Sequence, residues 1–433
     1  MKALVIGAAL SGIAVSKLLS SKGYEVYLTD AREISSKSEL ERLGIRVYDM
    51  GHPDLLKEIE YDIIVKNPGI KYSVPFVKYF KDKGYKLLNE IEVASSYVRY
   101  NYGAITGTNG KTTTTTLLGE FLKTKNTNNG PAGNIGLPLS DIVMNHPCEE
   151  LDIAVEIAAF QLLGCEKFHP VVSVCMNLTP DHVDYFGDVD AYYEAKMLVY
   201  KNQRDDDWFL LNVDDDNVVR FAKDIKCQTV TFSLKKDADL MVKDGTVTLF
   251  NEKLFDVKDL KLPGRHNLQN TMVAAAMAKR MGVKSSDIEN VIRGFNGVKH
   301  RLEFIEEIDG VRYYNDSKGT NPDSTMVALE AFDDNVILLA GGYDKKTGFD
   351  SIKPYLHHVK KMMVFGATKY QIKELYPDAI VCDTMAEAID IAHKEAVSGD
   401  VVLLSPMCAS WDQFNNFEER GDQFASIVRE LKS

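Results

Sequence analysis

The sequence predicts an α/β protein of three domains, each built on a mainly parallel sheet flanked by helices. Three observations carry that prediction. The chain has 433 residues, and at about 150 residues per domain this makes about three cores. Short apolar runs ending in glycine or polar residues alternate with helical stretches along the whole length, which is the rhythm of βαβ units. A glycine-rich loop at 106–113 stands between one such run and a helical stretch, as in sheets that bind mononucleotides. No long unit repeats, which excludes a solenoid.

Composition narrows the classes further. Hydrophobic residues make up 45% of the chain and charged residues 26%, a balance that excludes a mainly disordered or fibrous protein. Fifty-one Lys+Arg against 63 Asp+Glu leave a net charge of −12. Such a surface argues against nucleic acid or an anionic membrane as partner, yet it permits a local basic pocket for phosphates. No uncharged apolar run is long enough to span a bilayer. Cys148, Cys165, Cys175, Cys227, Cys382 and Cys408 form no CxxC pair and read as the reduced thiols of a cytoplasmic protein. The run ALVIGAALSGIAV after Met1-Lys2 resembles a short export signal, but Gly7, Ser11 and Gly12 interrupt it. A second strand-like run then ends in Asp30, so strand, glycine turn, helix and strand is the better reading.

From residue 1 to 97 the strand-like runs are 4–7, 25–30, 45–50 and 61–69. Ligands bind such sheets beyond the carboxyl ends of the strands, so Gly7–Gly12, Asp30–Arg32 and Asn67–Gly69 are expected to converge. A second domain, 98–298, opens with the loop strand and continues through runs at 152–163, 171–187 and 208–217 to a helical stretch near 266–281. A third, 299–433, carries further strand-like runs with helices between. The polar stretch before Tyr102 and the turn GVKHR at 297–301 read as hinges, with the third domain closing onto the phosphate loop.

The strongest local signal is Thr106-Gly107-Thr108-Asn109-Gly110-Lys111-Thr112-Thr113. Glycines let backbone N–H groups face phosphate oxygens, and the helix N-terminus adds partial positive charge. Lys111 can reach terminal phosphates and the Thr112 hydroxyl can ligate Mg²⁺, which favours ATP. The first loop, Gly7-Ala8-Ala9-Leu10-Ser11-Gly12, lacks the middle glycine of a dinucleotide fingerprint. It reads either as a modified nucleotide pocket or as a tight turn, and Asp30 at the next strand end favours the pocket.

Glu156 and Asp181-His182 follow two strand-like runs and are expected on one rim beside the phosphate loop if those strands are parallel neighbours. Carboxylate oxygen suits Mg²⁺, and one imidazole is an unusual but acceptable ligand. Lys196 is the odd member of the group. Beside a divalent cation its ammonium would be repelled, so either it faces solvent or its amine is chemically altered.

Taken in order, TGTNGKTT (106–113), GNIG (133–136), VEIAAFQL (155–162), NLTPDHVDYFG (177–187), AYYEAK (191–196), PGRHNLQN (263–270), VKHRLE (298–303) and NDSKGTN (315–321) resemble the motifs of the Mur ligase family. These are ATP-dependent enzymes that build the peptide of peptidoglycan precursors, and the match runs across nearly the whole chain. The stretch LSPMCASWDQFNNFEERG (404–421) is most similar to the branch that adds D-glutamate to UDP-N-acetylmuramoyl-L-alanine. The resemblance implies Rossmann-like first and third domains, a P-loop-type centre, and a cytoplasmic monomeric ligase working through an acyl phosphate. It implies ATP and two Mg²⁺ ions as well.

Residue by residue, it implies that Gly107, Thr108, Asn109, Gly110, Lys111, Thr112 and Thr113 hold ATP phosphates. Asn267, Asn270, Arg301, Asp316 and Lys318 would handle the rest of the nucleotide. Thr112, Glu156, His182 and Lys196 would line the metals, with Lys196 carrying a CO₂-derived carbamate; Lys111, His182 and Lys196 would be catalytic. Leu10, Ser11, Asp30, Arg32, Gly69 and Asn134 would take the UDP-linked substrate, and Thr320, Lys345, Ser410 and Phe417 would take D-glutamate. Two features depart from the family. Ala158-Ala159 replaces a usual Ser-Ser, and Trp411 stands where a smaller apolar residue is commoner.

Rival readings are a dinucleotide-dependent oxidoreductase, which leaves the 106–113 loop idle, and a non-enzymatic nucleotide switch, which leaves 404–421 without a task. Within the family, a ligase for another amino acid or a folate polyglutamate-type enzyme is the nearest rival.

Overall fold

In the computed structural model, which describes residues 1–332, 335–343 and 348–432, the strand-like runs pair into three sheets. The expected D-glutamate residue Lys345 lies outside the described residues. The first sheet contains β1 (Lys2–Ile6), β2 (Glu25–Thr29), β3 (Arg46–Tyr48), β4 (Ile63–Lys66) and β5 (Leu87–Leu88) in the order β3-β2-β1-β4-β5, all parallel. Ala3, Leu4, Val5 and Ile6 are all fully buried. Helices cover both faces of a parallel sheet, which is why the strand reads as a continuous apolar run rather than an alternating one.

The second sheet has nine strands. β6 (Asn101–Thr106), β7 (Gly130–Gly133), β8 (Asp152–Glu156), β9 (Val172–Cys175), β10 (Trp208–Asn212), β11 (Gln228–Phe232) and β12 (Leu240–Lys243) are parallel, in the order β12-β11-β10-β9-β6-β8-β7. An antiparallel hairpin, β13 (Thr246–Leu249) and β14 (Glu252–Asp256), extends its far edge. The third sheet is built from β15 (Glu303–Ile308), β16 (Val311–Asn315), β17 (Val336–Gly341), β18 (Val359–Phe365), β19 (Ile380–Val381) and β20 (Val401–Leu404), in the order β15-β16-β20-β17-β18-β19. Only its edge strand β15 pairs antiparallel.

The chain divides into two compact units: residues 1–256 with 269–291, and residues 257–268 with 292–432. The first two sheets therefore share one unit, and the polar stretch before Tyr102, read as a hinge, lies inside it. The physical reason is the helix Glu90–Ser95. Ile91 and Ala94 from this helix join Leu18, Tyr102, Leu139, Ile142 and Val143 in one apolar cluster. Its polar side chains also bind across. The buried Glu92 carboxylate accepts the backbone N–H groups of Glu166, Lys167 and Phe168 at 2.9–3.0 Å, and the Asn89 amide donates to the Gln161 carbonyl. No helix among the described residues is long and apolar enough to cross a membrane.

Glu90, on the same helix, is buried and accepts from the Ser140 backbone N–H. Burial pushes its carboxyl up to about 7. A carboxyl raised on folding contributes stability that is complete below its unfolded-state value and lost as pH rises through the folded value. Glu90→Gln keeps the acceptor and removes the charge. Its melting temperature is therefore expected to gain on the parent's between pH 5 and pH 8, as scanning calorimetry would show.

Candidate active site

Two edges of the first unit gather the expected residues. At the carboxyl edge of the first sheet, β1 lies between β2 and β4, so the loops after β1 and β4 leave on either side of the switch in strand order. A β-carbon on Gly12 would stand 1.9 Å from the Gly7 carbonyl oxygen, so the first turn of the following helix packs against the loop with no room for a side chain. The absent glycine is tolerated because Ala9 is the N-cap of that helix with φ −72°, an ordinary conformation. Asp30 accepts the N–H of Ala8 at 2.8 Å and of Arg32 at 2.9 Å, and the Arg32 guanidinium stands 3.6 Å away. Burial opposes its charge, but those N–H groups and the guanidinium outweigh burial and hold the carboxyl below its usual range. The Asn67 amide reaches Ser11 Oγ at 3.5 Å and its Oδ1 accepts the Gly69 N–H at 3.1 Å. Leu10 is left exposed. Gly7–Gly12, Asp30–Arg32 and Asn67–Gly69 thus converge at the carboxyl edge of the first sheet.

The second edge surrounds the phosphate loop. β6 is flanked by β8 and β9, with Ile105 beside Glu156 and Thr106 beside Cys175. That register brings the Glu156 side chain and the loop leading to His182 to the same rim as Gly107–Gly110. Asn177 braces the loop, its Oδ1 accepting the Asn109 N–H at 2.8 Å. Thr108 Oγ1 donates to the Thr179 carbonyl at 3.1 Å. Gly110 caps the helix Lys111–Lys123 with φ 82°, and a β-carbon there would meet Asn270 Oδ1 at 2.4 Å. Asn270 is therefore held against the loop. Thr112 and Thr113 lie in the first helical turn, half-buried and buried respectively.

Lys196 is 1% exposed and donates to the Gly107 carbonyl at 2.7 Å. Lys111 Nζ donates to the same carbonyl at 2.8 Å and to the Thr108 carbonyl at 2.7 Å. The solvent-facing reading of Lys196 is thereby overturned. Burial, and next the adjacent Lys111 charge, bring its amine down to about 7. Its Nζ lies 4.4 Å from the centroid of the Tyr192 ring. An amine with a substantial neutral fraction near physiological pH is a nucleophile, which an ordinary solvated lysine is not.

Glu156 is 2% exposed; its Oε1 accepts from the Asn134 amide at 2.8 Å, and its Oε2 is buried without a hydrogen-bond partner. A buried carboxylate oxygen lacking a donor is costly, and a cation satisfies it. His182 has φ 49°; its N–H donates to Asp181 Oδ1 at 2.8 Å, and its ring meets Phe160 at 5.3 Å and Tyr192 at 5.9 Å. Its side chain is about half exposed, so it is not a packed core histidine. No three His, Cys, Asp or Glu side chains converge as a ready metal cage among the described residues. The expected ligand set contains only Glu156 and His182 of those types, so it depends on Thr112 and an altered Lys196 to be complete. Ala158, at the departure from Ser-Ser, has its N–H accepted by Gln161 Oε1 at 2.8 Å.

In the second unit, Asp316 is buried, accepting from Ser405 Oγ at 2.8 Å, and burial raises its carboxyl to about 7. Lys318 Nζ stands 5.8 Å from the centre of the Phe417 ring, and the Thr320 N–H donates to the Lys318 carbonyl at 2.9 Å. Ser410 is buried, and its carbonyl accepts the N–H groups of Gln413 and Phe414. Arg301 is exposed; Asn267 donates to the Pro263 carbonyl at 2.7 Å. Trp411 is exposed against Tyr343, ring centroids 5.5 Å apart.

Sequence reasoning passed over Arg420, whose guanidinium is fully buried. It donates to Ser317 Oγ at 2.9 Å, the Ser317 carbonyl at 2.8 Å and the Cys408 carbonyl at 3.1 Å, joining the 315–321 loop to the loop after β20. It stands in a charged helical run, EER, which reads as a solvated face. Asn177, Phe160 and Tyr192 were also passed over, although each falls within a quoted motif.

The Mur ligase middle domain matches residues 105–278, and the domain described as Mur ligase, glutamate ligase domain matches residues 300–408. A UDP-N-acetylmuramoylalanine–D-glutamate ligase of Geobacillus sp. (strain WCH70) is 41% identical over 442 aligned positions, covering 100% of this chain and 98% of that protein. The enzyme of that name from Bacillus subtilis (strain 168) is 39% identical, covering 99% and 97%. Among solved structures, MurF ligase from Thermotoga maritima in complex with ADP superposes with a TM-score of 0.60 at 17% identity, over 94% of this chain and 96% of that one. UDP-N-acetylmuramate-alanine ligase MurC from the same organism gives 0.57 at 17%, over the whole of both chains. Those two share the fold, and the full-length identity to the first pair goes further: this chain belongs to the Mur ligase family.

Proposed function

We propose that this chain joins D-glutamate to UDP-N-acetylmuramoyl-L-alanine at the expense of ATP, a cytoplasmic step in peptidoglycan precursor synthesis. The observation that carries it is the pairing of the buried Lys196 with Lys111 on one phosphate-loop carbonyl, beside a Glu156 oxygen without a donor. The names of the full-length relatives supply the substrates. Three domains, 1–97, 98–298 and 299–433, divide the work between the UDP-linked acceptor, ATP and the amino acid.

A carboxylate is a poor acyl donor, because its leaving group would be oxide. Transfer of the ATP γ-phosphoryl group to the L-alanine carboxylate gives an acyl phosphate. The D-glutamate amine then attacks the acyl carbon, and phosphate leaves. Phosphate-loop N–H groups and Lys111 bind and orient the triphosphate. Asp30 and Gly69 hold the uridine end, with Leu10, Ser11 and Arg32 beside them; Asn134 orients Glu156 and faces the sugar path. Asn267, Asn270, Arg301, Asp316 and Lys318 serve the nucleotide, and Thr320, Lys345, Ser410 and Phe417 the amino acid.

The orphan Glu156 oxygen fits a divalent cation, and Thr112, His182 and a Lys196 carbamate would complete its ligands. Bound Mg²⁺, in two ions, supplies charge neutralisation between anionic substrates. The carbamate would form when the neutral Lys196 amine attacks CO₂: a C–N bond forms as one C=O π bond opens, the nitrogen gives one proton to solvent, and the neutral amine becomes an anionic, carboxylate-like oxygen donor.

The test is product release from ATP, D-glutamate and the nucleotide-linked acceptor. ADP and phosphate are expected only when both acceptors are present, with a mass-spectrometric product carrying one glutamate. Equal turnover with L-glutamate, diaminopimelate or lysine would assign another branch of the family, and hydrolysis indifferent to the acceptors would overturn the reading.

A further inference from the structure

The end of β4 holds a buried lysine that the expected ligand set does not use. Lys66 is 2% exposed. Its Nζ donates to the carbonyls of Asn67 at 3.0 Å, Pro68 at 3.3 Å and Ile70 at 2.7 Å, and lies 4.5 Å from the centroid of the Tyr72 ring. No carboxylate pairs with it among the described residues. Three carbonyl dipoles and an aromatic face are its only compensation for leaving water. A buried ammonium is a costly way to brace a loop that any apolar residue could merely fill.

The same loop is gripped from the second sheet. Tyr185 donates from its hydroxyl to the Pro68 carbonyl at 3.1 Å and approaches the Ile70 carbonyl at 3.3 Å. Its ring packs on Phe160 at 5.4 Å, and Phe160 packs on His182 at 5.3 Å. On its other side the loop touches the first glycine turn: a β-carbon on Gly7 would lie 2.6 Å from Asn67 Cβ and 2.9 Å from Ile70 Cδ1. The 67–70 loop is therefore clamped from below by Lys66 and from the His182 side by Tyr185, while it shapes the carboxyl edge of the first sheet around Gly69.

We infer that Lys66 and Tyr185 are positioning residues that set the 67–70 loop for the uridine end of the substrate and tie its occupancy to the His182 region. The inference rests on the proposed function. Neither side chain touches the reacting atoms. Their removal should weaken seating of the nucleotide-linked substrate and leave ATP and amino-acid binding alone.

Lys66→Met and Tyr185→Phe test this, the second removing one hydroxyl and keeping the ring. For Lys66→Met, KM for the nucleotide-linked acceptor is expected to rise roughly tenfold, and for Tyr185→Phe roughly threefold. KM for ATP and D-glutamate should stay within about twofold, and kcat should change less than KM. Because both act on one loop, the double variant should lose less than the product of the single losses. Calorimetric titration with uridine diphosphate should show the same weakening without turnover. If Lys66→Met fails to fold, Tyr185→Phe and its titration carry the test. Wild-type protein that does not bind uridine diphosphate would overturn the ligase reading, and this inference with it. Binding by the wild type that Tyr185→Phe and a folded Lys66→Met leave unchanged overturns the inference alone, as would KM rising equally for all three substrates.

Discussion

Lys196→Ala is expected to lower kcat by roughly a thousandfold, because in the proposed mechanism it removes the buried amine whose carbamate would serve as an oxygen donor with Glu156. The fold should survive. A lysine with 1% exposure, set between a carbonyl and the Tyr192 ring, leaves a small polar cavity when truncated, and a water or a small anion can enter it. Acetate or formate should therefore restore part of the lost turnover by placing a carboxylate where the carbamate would stand. In the unmodified protein, exhaustive removal of CO₂ should reproduce the loss, and bicarbonate should reverse it. Full activity of the alanine variant, or a loss that neither carboxylate relieves, would count against the altered-lysine mechanism.

Lys111→Ala is expected to cost roughly a hundredfold or more in kcat, with two separable causes. The first is direct: in the proposed function the triphosphate would lose the Lys111 cation, and the Gly107 and Thr108 carbonyls lose a shared donor. The second runs through Lys196, whose amine is lowered by burial and then by the Lys111 charge. Removing that charge favours the protonated form, so the Lys196 value rises and neutral amine appears only at higher pH. A ¹³C carbamate signal from labelled bicarbonate, followed in metal-free protein, should accordingly need a higher pH in the variant than in the parent. An unchanged titration would rule out the second cause.

Much of the architecture was legible from local pattern. The apolar runs at 4–7, 25–30 and 61–69 became β1, β2 and β4 because a strand covered on both faces has to be apolar along its length. The loop at 106–113 was legible because positive φ at Gly107 and Gly110 requires glycine whatever lies around it. The stretch before Tyr102 lies inside one compact unit, which its polarity did not foretell, because polarity along a segment does not reveal its underside. Ile91 and Ala94 sit in the core shared with Tyr102, and Glu92 is fully satisfied by N–H groups 74 to 76 residues away. Arg420 hid for the same reason, since its partner Ser317 lies 103 residues distant.

β5, β7 and β11–β14 carried no signal that was read, but by itself the sequence determined the runs that became β1, β2, β4, β6, β8, β9 and β10 and where the backbone turns at Gly107 and Gly110. These follow from side-chain period and from the steric freedom of glycine, both local properties. Only the tertiary structure decided the charge states: a Lys196 amine brought down to about 7 and a Glu156 oxygen left without a donor at the site, an Asp316 carboxyl raised to about 7 in the second unit, and, away from the site, a Glu90 carboxyl raised likewise. Protonation is set by desolvation and by charges that folding brings close, and neither is written in the order of the residues around the group.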